Sequence, residues 1–174
     1  MGKSVLKWGK IIYFYTVNQN LSNMSSFIGE YTCKVDAKGR LSFPSAFKRQ
    51  LDEKAQNRFV VKTDIFENCL ILYSYDEWES QVNRLRKKIN PYKREHNKFL
   101  RRFFKGTAEV VLDSNNRLLI PKKLMEIITH GKEVVFFGQD GKIEIWDKVK
   151  YMQLENSDDD FANSAEKIMN DFLD

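Results

Sequence analysis

The chain has 174 residues, of which 42% are hydrophobic, which is enough to build a buried core in one domain or two small ones. No apolar run approaches the roughly 20 residues that a membrane-spanning helix needs, so a membrane-embedded protein is not expected. The formal net charge of +5 is unevenly distributed: residues 154–174 carry seven acidic side chains and one basic one, so this tail has −6 and the body +11. A basic body favours a polyanionic partner.

Residues 1–23 are predicted to lie outside the fold. Three lysines precede the apolar run 11–15, which superficially resembles a signal peptide. The run is at the short limit for such a peptide and no small-x-small cleavage site follows it, so export is not favoured. Met24 directly precedes the first predicted strand and would be a natural translation start, and the sequence leaves the choice between Met1 and Met24 open.

After a first strand at about residues 27–35, a nine-residue motif of the form Asp-x-x-x-Arg-Leu-x-apolar-Pro occupies residues 36–44 and returns at residues 113–121. Its aspartate suits the first position of a tight turn, where the carboxylate can accept backbone N–H groups two residues further on. Gly39 suits a closing position with positive φ, and Asn116 replaces it in the second copy. Asparagine tolerates the left-handed region best among non-glycine residues, so both copies predict the same backbone.

Each motif continues from its arginine through a short apolar strand to a proline. Proline fits the first position of a helix, because the N–H it lacks would have no intrahelical partner there. In the first copy, Asp36 starts the turn, Arg40 the strand and Pro44 the helix. Asp113, Arg117 and Pro121 are the equivalent residues of the second copy. The predicted unit is a strand, a turn with an outward arginine, a second strand and a short helix.

The internal repeat extends beyond the motif. Residues 59–62 correspond to residues 134–137, and residues 70–73 correspond to residues 143–146. An Asp-Gly pair just before the last of these strands is a strong hairpin signal. A two-copy period of this length indicates a duplicated domain of two ββαββ-like halves rather than a solenoid.

Two helices are predicted between the halves. Trp78, Val82, Leu85 and Ile89 recur at helical spacing, Pro91 ends that helix, and a second helix covers residues 92–105. The pair carries ten basic side chains, which are either the solvated side of a helical hairpin or a phosphate-binding surface. The sequence does not decide between these alternatives.

The chain ends in a helix beginning near Asp147, an acidic run at residues 158–160 and a weakly amphipathic acidic helix from Phe161. This last helix is expected to be mobile or bound to a partner, because it has little apolar surface of its own. The predicted organisation is an extension at residues 1–23, a first half at 27–75, a helical insertion at 76–105, a second half at 106–149, and a C-terminal helix with an acidic tail at 150–174.

Catalytic and metal-binding patterns are largely missing from the sequence. His96 and His130 are isolated, and Cys33 and Cys69 lie far apart in predicted strands, where buried free thiols are expected. There is no glycine-rich phosphate loop and no nucleophile elbow. An aspartate beside an arginine has a lowered pKa and is a poor general base at neutral pH. We therefore predict no cofactor, no metal and no enzymatic activity.

The two Asp-x-x-x-Arg turns are the most specific signal. Each aspartate can simply cap its own turn and hold the arginine, but this does not explain why both turns then expose an arginine, with Lys38 beside one of them and Lys34 upstream. A guanidinium held on a rigid turn is well placed to form a fork with a phosphate or with the edge of guanine in a major groove.

These motifs, together with residues 30–31 and the strand at 142–147, resemble the MraZ family, and the resemblance extends from about Met24 to the C-terminus. It implies an α+β fold in which two SpoVT-AbrB halves form one pseudo-two-fold, swapped-hairpin β-barrel, with the helical hairpin inserted between them. It also implies closed ring homo-oligomers, located in the cytoplasm and on the nucleoid. Such proteins bind short repeated operator boxes in double-stranded DNA upstream of the division and cell-wall gene cluster, usually as repressors.

On this resemblance, the basic residues of the motifs are the expected DNA contacts. Arg40 and Lys38 are expected to reach DNA, with Arg117 as a second contact or a ring-interface residue, and Lys34 as a flanking contact. The residues expected to maintain the shape of the two turns are Asp36, Gly39, Pro44, Asp113, Asn116 and Pro121. Because Asn116 replaces the glycine of the family pattern, the second turn is expected to be the weaker DNA reader.

Two other classes of protein remain alternatives. In the first, the chain is an antitoxin-like interaction module whose acidic tail binds a basic partner. In the second, which rests on little, it is a hydrolase. The sequence leaves open the operator sequence, repression versus activation, the number of subunits in a ring and the role of the tail.

Overall fold

The computed structural model describes residues 25–51, 56–128, 132–155 and 161–170. The predictions for residues 1–23, Met24, His130 and residues 158–160 lie outside the described residues. The described strands are β1 Phe27–Lys34, β2 Arg40–Ser42, β3 Arg58–Thr63, β4 Leu70–Ser74, β5 Ala108–Val111, β6 Arg117–Leu119, β7 Glu133–Asp140 and β8 Lys142–Asp147. The described helices are α1 Ser45–Gln50, α2 Tyr75–Lys88, α3 Arg94–Phe104, α4 Lys122–Ile128, α5 Lys148–Glu155 and α6 Phe161–Asn170.

The element types agree with the predicted α+β class. The helix predicted from residue 92 begins two residues later, at Arg94, because Tyr92 belongs to a turn. The N–H of Tyr92 donates to Oδ1 of Asn90 at 2.9 Å. Helix α5 begins after Asp147, whose carboxylate accepts the N–H of Val149 at 3.0 Å, as an N-cap does. None of the helices in the described segments is both long and apolar enough to cross a bilayer.

Six strands form one antiparallel sheet in the order β1-β7-β8-β4-β3-β5, and β2 pairs with β6 in a separate two-stranded ribbon. Single bridges, Val35 with Leu41 and Leu112 with Leu118, connect the ribbon to the ends of β1 and β5. In each half, a single residue (Val35 or Leu112) pairs with the ribbon, and the Asp turn follows immediately in the chain. Among the described strands, the hydrogen-bonded ladders therefore make an open sheet plus a ribbon, and not the closed barrel that the resemblance implied.

The strand pairing exchanges elements between the two halves of the chain. Strand β1 pairs with β7, and β5 pairs with β3, so the first strand of each half bonds to the third strand of the other half. In the ribbon, Arg40 lies opposite Leu119 and Ser42 lies opposite Arg117, so exchanging the two copies reproduces the same register. The sheet order also reads the same from either end when the halves are exchanged. The fold thus has a pseudo-two-fold arrangement in which each half completes the other.

The main core lies between the sheet, the inner face of the ribbon and the short helices α1 and α4. Phe43, Phe47 and Phe59 pack at its centre, with ring centroids of Phe43 and Phe59 5.1 Å apart. Leu41 and Leu118 close the core from the ribbon side and are fully buried. The alternation predicted for the first strand is confirmed, since Phe27, Tyr31, Cys33 and Val35 face this core.

A second, smaller core covers the other face of the sheet. It contains Cys69, Ile71, Val135 and Trp146, with Tyr151 of α5 packed against it. Beside it, the charged side chain of Lys62 is buried, with Nζ 4.0 Å from the ring centroid of Phe103 in α3. This burial lowers the pKa of Lys62. Sequence patterning could not anticipate it, because a lysine in a strand normally marks a solvated face.

The helical hairpin is attached to the sheet through aromatic contacts. Helix α2 is capped by Ser74, whose Oγ accepts the N–H of Glu77 at 3.4 Å. Trp78 of α2 packs on Tyr73 of β4, with ring centroids 6.0 Å apart. The hydrophobic stripe predicted for this helix is confirmed, with Val82 buried.

Two adjacent leucines of the ribbon provide a test of this packing. Leu118 is fully buried, whereas the Leu119 side chain is 62% exposed. Leu118→Ala is expected to lower the free energy of unfolding by about 2–5 kcal/mol, through lost burial and the cavity it leaves. Leu119→Ala should change it by less than about 0.5 kcal/mol. Urea unfolding followed by circular dichroism measures both, and similar losses for the two variants would contradict the placement of the ribbon.

Candidate nucleic-acid interface

The first Asp-x-x-x-Arg turn is closed by its aspartate. The Asp36 carbonyl accepts the N–H of Gly39 at 2.9 Å, and the Asp36 N–H donates to the carbonyl of Arg40 at 3.0 Å. Oδ1 of Asp36 accepts the backbone N–H groups of Lys38 (2.8 Å) and Arg40 (2.9 Å), and Oδ2 accepts Nε of Arg40 at 2.7 Å. One carboxylate therefore fixes both the backbone of the turn and the direction of the arginine.

The second turn repeats this geometry bond for bond. Oδ1 of Asp113 accepts the N–H groups of Asn115 and Arg117, both at 2.9 Å, and Oδ2 accepts Nε of Arg117 at 2.9 Å. Asn116 has φ of +54° where Gly39 has +75°, so the prediction that asparagine would preserve the left-handed position is confirmed. The two turns are equivalent in backbone although five of the nine residues differ between the two motifs.

Both aspartates have a lowered pKa. The hydrogen bond from the Arg40 backbone, together with those from the Arg40 side chain and the Lys38 backbone, lowers the pKa of Asp36 to about 2. For Asp113, partial desolvation acts in the opposite direction, but the hydrogen bonds from Arg117 and Asn115 outweigh it and lower the pKa. Each turn therefore holds a carboxylate that stays ionised, paired with an arginine, at neutral pH.

The two arginines are less exposed than the sequence suggested. The side chains of Arg40 and Arg117 are only 26% and 27% exposed, because each lies along its own turn against the aspartate. A guanidinium has five N–H donors, so the bond from Nε leaves further donors to be directed at a ligand. The arginines are oriented and partly desolvated at the surface, and are not freely extended into solvent.

The ribbon brings the two arginines onto one face. Side chains alternate along its strands, so Leu41 and Leu118 point into the core while Arg40, Ser42, Arg117 and Leu119 lie on the opposite face. Since Arg40 lies opposite Leu119, Arg40 and Arg117 form a diagonal pair, at a spacing of about 7–8 Å. We call this outer face, made of Arg40, Ser42, Arg117 and Leu119, the ribbon surface.

The two predicted lysine sites lie in different places. Lys38 is exposed in the first turn, next to the ribbon surface. Lys34 is exposed near the end of β1, opposite Glu133 in β7, and thus belongs to a separate strand pair from the ribbon. It lines an open cavity of about 420 Å³ together with Lys132, Lys148, Glu133 and Asp147. The structure therefore groups Lys38 with the arginines and places Lys34 in a separate environment of mixed charge.

The prolines of the motifs stand just before their helices. Pro44 precedes α1 and has helical φ (−58°) but extended ψ (129°), so it is the N-cap residue and not the first helical residue that the sequence suggested. Its carbonyl still accepts the N–H of Lys48 at 3.1 Å. Pro121 directly precedes α4, and its carbonyl accepts the N–H groups of Leu124 and Met125. Proline thus starts each helix from one position earlier than predicted.

Sequence reasoning missed the role of Leu119 on the ribbon surface. In the run 118–120, Leu118 and Ile120 are buried and Leu119 is exposed, but all three letters are apolar. Side chains alternate between the two faces of a strand, so knowing that Leu118 is buried would have been enough to place Leu119 on the exposed face.

A backbone hydrogen bond connects the second turn to the end of β2. The N–H of Phe43 donates to the carbonyl of Asn116 at 2.9 Å.

In the part of the chain that the structure describes, the cysteine, histidine and acidic side chains do not form a metal site. Within the described segments, no three or more His, Cys, Asp or Glu side chains come together where they could hold a metal ion. The thiols of Cys33 and Cys69 are free, and burial raises the pKa of both. Cys33 is only partly buried, so the expectation of a buried thiol holds for Cys69 alone.

Fold and site together define a class: a duplicated α+β chain whose halves exchange strands and present two aspartate-anchored arginines on one ribbon. A family model described as "MraZ protein, putative antitoxin-like" matches residues 26–102 and again residues 103–172. A relative from Christiangramia forsetii, named transcriptional regulator MraZ, is 48% identical over 147 residues, which is 84% of this chain and 94% of the relative. Relatives with the same name from Flavobacterium psychrophilum and Bacteroides thetaiotaomicron are 40% and 36% identical, over 84% and 85% of this chain and 93% and 95% of the relatives. The chain belongs to the MraZ family.

The lowered pKa of Asp36 gives a pH-dependent prediction. A carboxylate whose pKa is lower in the folded state stabilises the fold above its ordinary pKa of 3.8, and this contribution is lost as the pH falls through about 2. Asp36→Asn should therefore lower the free energy of unfolding most between pH 5 and pH 7, and the difference from the unmodified chain should shrink toward pH 2. Urea unfolding at a series of pH values measures it.

Asp113→Asn, in the equivalent turn, is the matched variant and should show the same direction of change. A loss of stability in Asp36→Asn that stays constant from pH 7 to pH 2 would mean that the charge of the carboxylate does not hold the turn.

Proposed function

We propose that this chain is a sequence-specific, DNA-binding transcriptional regulator and that its ribbon surface contacts double-stranded DNA. The observation that carries the proposal is the diagonal pair of arginines, Arg40 and Arg117, each oriented by its own aspartate on one exposed face. An ionised carboxylate that already holds each guanidinium reduces the conformational freedom lost when it binds.

The dimensions of the ribbon suit the major groove. A groove about 12 Å wide admits a two-stranded β-ribbon, and arginine donors match the O6 and N7 acceptors of guanine or a phosphate. The side chains that surround the arginines, Ser42 and Lys38, supply a hydroxyl and a further cation. Phosphate contacts by Lys38 would position the ribbon, and base contacts by Arg40 would supply specificity.

The two turns are not equal readers of DNA. The first turn has the exposed cation Lys38 beside its arginine, whereas the second turn has the neutral Asn115 at the equivalent place. We therefore assign Arg40 and Lys38 as the principal contacts and Arg117 as a second contact. Lys34, on its separate strand pair, would reach only flanking phosphates.

Family membership supports the same function. Curated relatives that cover most of this chain are named transcriptional regulators. The +11 charge of the body agrees with a polyanionic partner. The exchange of strands between halves supports the swapped-hairpin arrangement of two SpoVT-AbrB units, in which Asp36, Gly39 and Pro44 and their counterparts Asp113, Asn116 and Pro121 keep the turns rigid.

Several copies would act together on DNA. One ribbon offers only a few phosphate and base contacts, so we propose that copies assemble into a ring and bind repeated operator boxes at raised effective concentration. The proposed target lies upstream of the division and cell-wall gene cluster, where the regulator would usually repress. The site of action would be the nucleoid, and no enzymatic step is involved.

Replacing Arg40 tests the assignment. Arg40→Ala should weaken binding to the DNA upstream of the chain's own gene by about 5- to 150-fold, since a bidentate arginine contact contributes about 1–3 kcal/mol. Arg40→Lys should recover only part of this affinity, because lysine keeps the charge but not the fork. Mobility shift and fluorescence anisotropy on a duplex footprinted beforehand give the affinities.

Arg49→Ala, at an exposed position of α1 that is not part of the ribbon surface, removes the same charge and is the control. It should weaken binding far less than Arg40→Ala at the same salt concentration. Equal effects of the two variants, with unchanged oligomeric mass, would show that net charge and not the ribbon surface determines binding.

A second candidate function is an antitoxin-like interaction module. The observation that favours it is the acidic tail, with seven acidic side chains and one basic one in residues 154–174. On this alternative, a chain lacking residues 154–174 loses a co-purifying basic protein but retains DNA binding. If the tail has no such partner, the truncated chain will copurify with the same proteins as the full chain.

A further inference from the structure

We propose that helix α6 of one copy docks into an apolar groove between α2 and α3 of a second copy. We call this groove, lined by Val82, Leu85, Ile89, Leu100 and Phe104 with Arg86 at its rim, the hairpin groove. The inference deepens the proposed assembly and rests on it in one respect, namely that copies of the chain associate. It assigns the contact, and it gives the acidic tail a partner within the same assembly.

The hairpin groove is formed before any partner arrives. Its volume is about 330 Å³, which is enough for one or two large apolar side chains. The ring of Trp78 stacks on Phe103 at 5.8 Å and 8° and meets Phe104 edge-on at 5.7 Å, so α2 and α3 are held together. Lys62 holds Phe103 from the sheet side. Little ordering is therefore required when a helix enters the groove.

Helix α6 has an apolar face that is not buried within its own chain. Phe161, Ile168 and Met169 are 68%, 58% and 67% exposed, and Ala165 lies between them on the same side of the helix. The spacing of four, three and one residues places all of them on one stripe. Hydrophobic grooves commonly bind such an amphipathic helix, whose apolar side chains three, four and seven residues apart enter the groove.

The charges around the two surfaces are complementary. Residues 75–104, which form the hairpin, carry nine basic and four acidic side chains, a net of +5. Residues 155–174, which contain α6, carry seven acidic side chains and one basic one, a net of −6. Apolar contact in the groove, together with attraction between the acidic tail and the basic hairpin, would favour this occupant over a neutral or basic helix.

A second copy is the occupant that the exposed surfaces favour. Within one chain, the apolar face of α6 and the side chain of Phe104 both remain exposed. In the described fold, α6 therefore does not cover the hairpin groove of its own chain. Helix α5 packs on β7 and β8, whereas α2 packs on the neighbouring pair β4 and β3, so the tail leaves from α5 and not from the hairpin itself. A tail exchanged between copies would bury both surfaces at once.

Disulfide trapping tests the contact between copies. Arg86→Cys and Met169→Cys are placed in two differently tagged full-length chains that are co-expressed, purified and mildly oxidised. Because Arg86 lies at the rim of the groove and Met169 on the apolar face of α6, the two tags should be joined in one disulfide-linked dimer at a yield several-fold above controls. The control pair carries Arg49→Cys, in α1, with the same Met169→Cys.

The outcomes separate the possible occupants. A heterodimer specific to the Arg86 and Met169 pair supports the proposal. If the pair gives no heterodimer, but a chain carrying both cysteines forms an intramolecular disulfide, α6 docks in its own groove and the proposal is wrong. If neither product forms, or the control pair gives equal yield, α6 does not occupy the groove.

A second measurement does not depend on cysteines. The double variant Ile168→Ser and Met169→Ser should weaken self-association at least about tenfold, as measured by light scattering over a dilution series, because two apolar anchors are lost. Asn170→Ser, an exposed polar change on the same helix, should leave association unchanged. Unchanged association of the double variant would overturn the proposal. DNA affinity of Arg40→Ala is measured separately, so a failure of the docking contact is distinguishable from a failure of the proposed function.

Discussion

The structure depends on one repeated interaction, a carboxylate that closes a four-residue turn and holds the arginine that ends it. In both copies the aspartate accepts two backbone N–H groups through Oδ1 and the arginine Nε through Oδ2. The same bonds that keep this carboxylate ionised also set the path by which the chain leaves the long sheet and enters the ribbon. Without this constraint, three-residue strands would be too short to fix the direction of an arginine.

The exchange of strands gives these turns a rigid base. Because β1 bonds to β7 and β5 to β3, neither half can form its outer strand pair without the other, and both ribbon strands cover one shared core. Leu41 and Leu118 anchor the inner face of the ribbon while Arg40 and Arg117 occupy the outer face. Packing energy from the core is thereby coupled to the position of two partly buried guanidinium groups, which is what recognition of a fixed groove geometry requires.

The helical hairpin and the C-terminal helix lie outside the repeat and differ from it in keeping exposed apolar surface. The helical hairpin and the C-terminal helix each keep an apolar surface that the single chain leaves exposed, and their charges have opposite sign. Buried Lys62 under Phe103 shows that the basic hairpin is more than a solvated appendage, since one of its aromatic side chains covers a cation of the sheet. Under the proposed function and the proposed docking contact, the ribbon faces DNA while these two surfaces join copies of the chain.

The sequence by itself determined the elements and the turns, because local hydrogen bonding dictates them: an aspartate three residues before a residue with positive φ, a proline before the two motif helices α1 and α4, and an Asp-Gly hairpin turn all act over a few residues. Asn116 in the left-handed region is the clearest case. Only the tertiary structure decided which strands pair across the halves, that the ribbon remains apart from the six-stranded sheet, that Leu119 is exposed beside buried Leu118, and that Arg40 and Arg117 share one face with Lys34 placed elsewhere. Those outcomes depend on contacts between residues that are far apart in the chain, from 47 positions for Val61 and Ala108 to 113 for Phe27 and Asp140, for which a single sequence has no local signal.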